Sequence, residues 1–260
     1  MTQIALAAVA SFAIASLAYA FRALSPSGAV AAFAIGTIVF AIGGWPAAAV
    51  LLAFFISASL LSRIGVRRKR GLVDWGKQGA RDARQVLANG GVAAACLALS
   101  PFLAAPLLLA FAAALAAATA DTWATEIGTL ARRARSVLTF RPISSGISGG
   151  VSVPGTIAQL GGAAFVAYVG YAVHLTPFWP VAIAGVVGSL FDSVLGGSVQ
   201  ALRWCPACAR PCETNPHVCG TPTTMFRGLS WVDNDAVNFL STLVGAGVAV
   251  LVARHWPSLW

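Results

Sequence analysis

Acidic residues are almost missing from this sequence. Eight carboxylates stand against seventeen lysines and arginines in 260 residues, and charged side chains make up only 10% of the chain. A soluble domain carries about 25% charged residues, so this scarcity excludes an ordinary water-soluble fold. Hydrophobic residues fill 58% of the chain instead, which predicts an all-α, polytopic transmembrane helix bundle. Long polar stretches are also missing, so residues 1–260 read as a single membrane domain with no separate soluble unit. No internal repeat or low-complexity linker stands out. Positive charge is absent from the opening MTQ, whereas Arg22 follows the first apolar run. That is the reverse of a signal peptide's polarity, despite the cleavage-like Ala18-Tyr19-Ala20. The first segment is expected to stay as a span with its N-terminus outside.

A crossing takes about twenty apolar residues, which predicts seven or eight spans, at 2–21, 28–43, 46–61, 86–100, 102–124, 153–174, 178–199 and 235–253. The second and fourth are short and Gly-rich, and fit a tilted, re-entrant or bundle-packed segment. The Ala-rich stretch 104–120 predicts close helix packing, because small residues let backbones approach. Three polar loops emerge: a basic loop at 62–84, a Gly/Ser-rich loop at 126–152 and a Cys-rich loop at 201–232. Two spans separate each from the next, so all three share a face. Arg22 falls there too, leaving Arg254 alone opposite sixteen basic residues. The positive-inside rule makes that face cytoplasmic, in an integral cell (inner) membrane. Topology alone accounts for the run Arg67-Arg68-Lys69-Arg70, but a basic face also attracts anionic lipid and polyphosphate. Nucleic acid is not an expected partner, since the loops are short and lack interleaved aromatics.

Against this background the surviving acids are informative. Asp121, Glu126, Asp192, Asp233 and Asp235 lie inside or at the ends of apolar stretches, where an ionised carboxylate is costly unless paired. All map to the cytoplasmic leaflet, as does Asn89. At about 100° per residue, Asp121, Thr125, Thr122 and Glu126 form one stripe spanning roughly 140°. Asp192, Ser189, Ser193 and Gly196 cluster likewise, and Asp235, Asn238 and Thr242 recur at helical spacing. Such oxygen ligands suit Mg²⁺, with Asp121, Asp192 and Asp235 as the expected metal ligands and catalytic groups, joined by Glu126. The bland alternative is pairing with loop arginines. Glu126 and Asp233 are nearest the head-group zone, and Asp233 also suits a helix cap.

Residues 141–156, RPISSGISGGVSVPGT, combine four glycines and five hydroxyl residues with Arg141. Backbone N–H groups of such a loop can cradle an anion at a helix N-terminus, although the Lys-Ser/Thr of a P-loop is missing. Arg141, Ser145, Ser148, Gly149 and Gly150 are the candidate nucleotide-phosphate contacts, with Lys77, Arg81, Asn89 and Asn238 as further binding candidates. Cys205, Cys208, Cys212 and Cys219 lie within fifteen residues, with His217 among them. The C-x2-C pair suggests a structural Zn²⁺ knuckle. Either His217 or Cys212 completes the set with Cys205, Cys208 and Cys219. Cys96 lies within a span and reads as core.

The segments QVLANGG (85–91), ADTWATEIG (120–128), SGISGGVSVPGT (145–156), FDSVLGGSVQ (191–200) and WVDNDAVNFLSTLVG (231–245) resemble the membrane family that includes plant phytyl-phosphate kinase and human transmembrane protein 19. The resemblance covers about residues 10–250; the G-T-x-G-G-V-S kind of loop departs mildly, lacking its threonine. It implies phosphorylation of a polyprenyl monophosphate to the diphosphate by a nucleoside triphosphate such as CTP. The lipid's tail is expected in a cleft among the fifth, seventh and eighth spans. Two other classes stay open: a CDP-lipid-forming nucleotidyltransferase or lipid phosphatase, and an ion-coupled transporter. The missing D-G-x2-A-R motif argues against one version of the first, and the missing repeat against the second. Gly- and Ala-rich spans can pack within one bundle or against a second copy, so a homodimer also fits.

Overall fold

The computed structural model describes residues 2–64, 79–103, 106–131 and 133–255. The arginine-rich run at 67–70, Lys77 and Arg132 lie outside them. The described residues form seven helices: α1 (Thr2–Ala20), α2 (Pro26–Arg63), α3 (Ala83–Leu99), α4 (Leu107–Gly128), α5 (Val153–Ala172), α6 (Phe178–Ser198) and α7 (Asn234–His255). Six of these are long and apolar enough to cross a membrane; α3, with 17 residues, is shorter.

α2 accounts for two of the expected spans. Its 38 residues would reach about 57 Å if straight, nearly twice the hydrocarbon core. Gly44 breaks it with φ 64° and ψ −163°, a backbone conformation that costs glycine little, and Pro46 follows. Gln3 Nε2 donates to Ala41 O (3.3 Å) at one end of α1, while Arg63 Nη2 donates to Phe21 O (2.8 Å) at the other. The two halves of α2 therefore fold back on each other, and the seven helices supply eight rods.

Local chemistry starts the helices where the chain re-enters the bundle. Ser25 Oγ accepts from Gly28 N ahead of Pro26. Asp82 and Gln85 form a reciprocal capping box on α3, and Ser152 Oγ accepts from Gly155 N on α5. Each such contact satisfies an orphan amide of the first turn. A parallel bridge between Leu24 and Arg81 pins the α1–α2 link beside the start of α3.

The centre of the bundle is α4, whose residues from Leu109 to Ala120 are all buried. Its alanines admit close neighbours. A Cβ on Gly185 of α6 would lie 2.7 Å from Ala116 Cβ, and one on Gly245 of α7 would lie 2.9 Å from Ala117 Cβ. Such backbone proximity packs α6 and α7 closely against α4 at these depths. Among the described residues, an apolar cavity lies between α1, α2 and the start of α3. The outer face of α1 exposes Ile4, Leu6, Val9 and Phe12, as lipid contact requires.

The described ends of the three polar loops meet at one end of the bundle, where Ser62 reaches Glu126, Arg84 reaches Asp233 and Gly149 packs on Gly197. Between α4 and α5, strands β1 (Ala134–Ser136), β2 (Pro142–Ile143) and β3 (Gly150–Val151) form an antiparallel sheet in the order β2-β1-β3. Between α6 and α7, β4 (Leu202–Cys205), β5 (Arg210–Cys212) and β6 (Thr224–Arg227) form a second, ordered β5-β4-β6.

Candidate active site

The site is built where α4 and α6 reach this polar end. Asp121 of α4 and Asp192 of α6 lie within side-chain hydrogen-bonding reach of each other. Two carboxylates in contact need a proton or a cation between them. Asp192 Oδ2 is buried with no hydrogen-bond partner, an acceptor that a hard cation would satisfy. The other groups aligned on these helices are largely committed to the protein. Thr122 Oγ1 donates to Ala118 O (2.8 Å), and Gln159 Nε2 donates to Ser189 Oγ (2.8 Å).

The Gly/Ser-rich loop lies directly against the C-terminal end of α6. Gly149 has φ 81°, and a Cβ there would lie 2.2 Å from Gly197 Cα and 2.4 Å from Gly197 N. This contact holds Ser148 over the site. Ser148 Oγ donates to Glu213 Oε1 and accepts from Gln200 Nε2 (3.0 Å). Glu213 comes from the Cys-rich loop, and its charge reaches Asp192. Burial pushes the Glu213 carboxyl up, while the Ser148 hydrogen bond and the Arg227 guanidinium oppose this. Arg227 Nη2 donates to Gly196 O (2.9 Å), and its Nε is buried without a hydrogen-bond partner. Three segments thus converge: the α4–α6 acids, the Gly/Ser loop, and the Glu213–Arg227 pair.

Glu213, Gln200 and Arg227 were not singled out from the sequence. Glu213 had one available signal, as one of only eight carboxylates; it sits in a polar loop, where an acid is unremarkable. Gln200 closes the FDSVLGGSVQ segment that carried the family resemblance.

Most of the other candidates are engaged with partners of their own. Glu126 Oε1 accepts from Ser62 Oγ (2.7 Å) and stands near Arg81. Asp235 is buried at the start of α7, 3.8 Å from Arg84 Nε. Asp233 Oδ2 accepts from Arg84 Nη2 (2.8 Å) and Oδ1 caps α7 through Ala236 N (3.0 Å). Asn89 Nδ2 donates to Gln85 O (2.9 Å), and Asn89 faces the α1–α3 cavity. Ser145 Oγ donates to Ala131 O (2.7 Å), away from Ser148. Arg141 is exposed, Gly150 N donates to Ile147 O (3.0 Å), and Asn238 is half-buried on α7.

Of the five candidate zinc ligands, the fold gathers Cys205, Cys208, His217 and Cys219, whose ligand atoms all lie within 4.8 Å of one another. Cys205 Sγ and Cys219 Sγ are 3.7 Å apart, and Cys208 Sγ is 3.6 Å from His217 Nδ1. A tetrahedral zinc with bonds of about 2.0–2.3 Å spaces its ligands by roughly 3.5–3.8 Å; two separations match, and His217 Nδ1 to Cys219 Sγ at 3.0 Å is shorter, so this quartet could hold a metal after a small adjustment. Cys212 is buried elsewhere, with Sγ 3.8 Å from Thr214 O.

Fold and site together define a polytopic membrane protein with a paired-carboxylate centre at one end of its helix bundle. The chain belongs to the family described as Integral membrane protein DUF92, which it matches over residues 9–246. It is 29% identical over 235 residues to Protein PGR of Arabidopsis thaliana, covering 77% of this chain and 79% of that protein. An uncharacterized membrane protein of Methanocaldococcus jannaschii is 27% identical over 217 residues, or 80% of this chain and 77% of the relative. Protein VTE6, chloroplastic, of Arabidopsis thaliana is 25% identical over 225 residues, 81% of this chain but 60% of that longer protein. No solved structure gives a significant match.

Proposed function

We propose that this protein is a lipid-phosphate kinase that converts a polyprenyl monophosphate to its diphosphate with a nucleoside triphosphate. The observation that carries this reading is the Asp121–Asp192 pair, with its buried unpartnered oxygen, directly beneath a loop rich in glycine and serine. The family resemblance read from the motifs supports it. The donor set of two carboxylates is one that hard divalent cations favour, so Asp121 and Asp192 would hold Mg²⁺. When bound, that ion supplies positive charge to the transferring phosphate.

The protein's own contribution is alignment and charge, as in other phosphoryl transfers. The Gly/Ser loop, through the Gly149 N–H, would hold the nucleotide's terminal phosphates, and Arg227 would neutralise them; the Gly150 N–H is already given to Ile147 O. Glu213 and Gln200 fix the Ser148 hydroxyl. An acceptor phosphate oxygen attacks the γ-phosphorus, the bond from that phosphorus to the β,γ-bridging oxygen breaks, and a nucleoside diphosphate leaves. The acceptor oxygen is already anionic, so no strong general base is needed. The basic face, which carries every loop of the site, is taken as cytoplasmic under the positive-inside rule. The Cys205–Cys208–His217–Cys219 quartet would be a structural Zn²⁺ site, fixing the loop from which Glu213 and Arg227 reach the centre.

The test uses purified protein, Mg²⁺, C15 to C20 isoprenyl monophosphates and either CTP or ATP, with product masses as the readout. A lipid diphosphate together with a nucleoside diphosphate, both lost in Asp192→Asn, is the expected result. Pyrophosphate release would make the protein a nucleotidyltransferase. Inorganic phosphate without nucleotide would make it a phosphatase, and ion or solute uptake into proteoliposomes without nucleotide would make it a transporter.

A further inference from the structure

A cavity of about 330 Å³ lies between α1, both halves of α2 and the start of α3. Its volume falls within the range of small-molecule sites. Ile14, Ile35, Phe40 and Phe55 line its wall, Trp45 stands at the Gly44 bend, and Arg81 and Asn89 lie at the opposite, polar end. Lining positions on the second half of α2 run from Trp45 to Phe55, about 15 Å by helical rise. The space is therefore long and apolar, with a cationic and amide mouth at the level of the loops.

Arg81 is held there by the backbone. Ser25 N donates to Arg81 O (2.9 Å) and Arg81 N donates to Ala23 O (3.0 Å). The Arg81 charge reaches Glu126, which lies on α4 five residues beyond Asp121, about 7.5 Å along the axis. A headgroup at this mouth therefore faces the end of α4 that bears Asp121.

We propose that this cavity is the tail site of the acceptor, a single-chain isoprenyl monophosphate, with Arg81 and Asn89 receiving its phosphate. The proposal rests on the kinase reading for the role of the lipid, but not for its binding. Charge complementarity selects the occupant: an anionic head suits Arg81, the one charged residue among the described lining residues, and the apolar shaft suits one chain. The two ligands then approach from different sides, with the nucleotide on the Gly/Ser loop over α6 and the lipid from α1–α3. Because bilayer tails are as apolar as the cavity wall, burial there adds little affinity. The cavity selects chain length and directs the headgroup.

The experiment uses the purified full chain without nucleotide and a C20 isoprenyl monophosphate bearing a diazirine at its tail end. After photolysis, labelled peptides are mapped by mass spectrometry. Label within 10–18 and 32–55, competed by unlabelled C20 isoprenyl monophosphate but not by the C20 alcohol, is the expected result. Ala48→Phe and Ala32→Phe narrow the cavity from opposite walls. Either should lower the C20-to-C10 labelling ratio about tenfold, equivalent to about 1.4 kcal/mol. Label on α4–α7, equal competition by the alcohol, or an unchanged ratio in both variants would overturn the proposal. Cavity labelling without diphosphate formation would sink the kinase reading alone; turnover with label elsewhere would sink the tail site alone.

Discussion

Replacing Gly149 by alanine tests whether the Gly/Ser loop must sit where it does. The new Cβ would be 2.2 Å from Gly197 Cα and 2.4 Å from Gly197 N. Both are backbone atoms, so no side-chain rotation relieves the overlap. Restoring an ordinary carbon–carbon separation of about 3.5 Å requires the loop to move about 1.3 Å. The left-handed backbone at φ 81° adds roughly 1–2 kcal/mol for any residue with a Cβ. Ser148 travels with Gly149 and loses its fit to Glu213 and Gln200. A misplacement of about 1 Å at a reacting centre costs on the order of a hundredfold in rate. Lipid diphosphate formation by Gly149→Ala should fall by about that factor while the helices stay folded. Limited proteolysis within 141–152 reads the same displacement without relying on turnover. Gly247→Ala is the control, because a Cβ there meets nothing within 4 Å. Wild-type turnover together with a wild-type cleavage pattern in Gly149→Ala would refute the reasoning.

Four further outcomes are expected. Asp121→Asn and Asp192→Asn should each remain folded by size-exclusion profile yet lose Mg²⁺-dependent turnover; wild-type rates in both would remove the acidic pair from the chemistry. Purified protein should carry about one zinc per chain by elemental analysis, retained in Cys212→Ser and lost in Cys205→Ser; the opposite pattern would reassign the ligands. Glu213→Ala should lower turnover through Ser148, and Glu213→Asp, with its shorter reach, should not restore it. Because burial holds the Glu213 carboxyl above its ordinary value, the folded state binds a proton more tightly than the unfolded one. Its stabilising contribution is therefore full below the ordinary carboxyl range and declines as pH rises through the raised value. Thermal melts of wild type and Glu213→Gln should accordingly differ in their pH slope over that window.

Much of the helical frame was legible because its determinants are local and periodic. The expected boundary between the second and third spans falls at Gly44, since a Gly-Gly-Trp-Pro sequence cannot continue a helix. Asp233 caps α7 because it precedes the apolar run by the right offset. Facing of Asp121 and Asp192 followed from depth, as two acids at the same end of two central helices have few places to go. The two small sheets were not legible. Strands of two to four residues carry no period and exist because helix ends hold them in place. Glu213 escaped for a related reason: its reach into the centre depends on how the Cys-rich loop folds over α6. The described cavity between α1, α2 and the start of α3 was not foreseen because apolar composition is shared by all the helices. Only the backbone approach of Gly185 and Gly245 to α4 reveals which interface is closed.

That closure has a consequence for how the gene can vary. From Leu109 to Ala120, α4 is enclosed on every side, and most of its residues carry a single methyl group. Elsewhere in proteins, bulky core residues mark the positions where change is felt, and trimming them leaves holes. Here the direction is inverted: there is almost nothing to trim, and any enlargement drives a wedge into several neighbours at once. The helix with the least side chain is therefore the one with the least freedom to drift, whereas the lipid-facing α1 can exchange one large apolar residue for another at little cost.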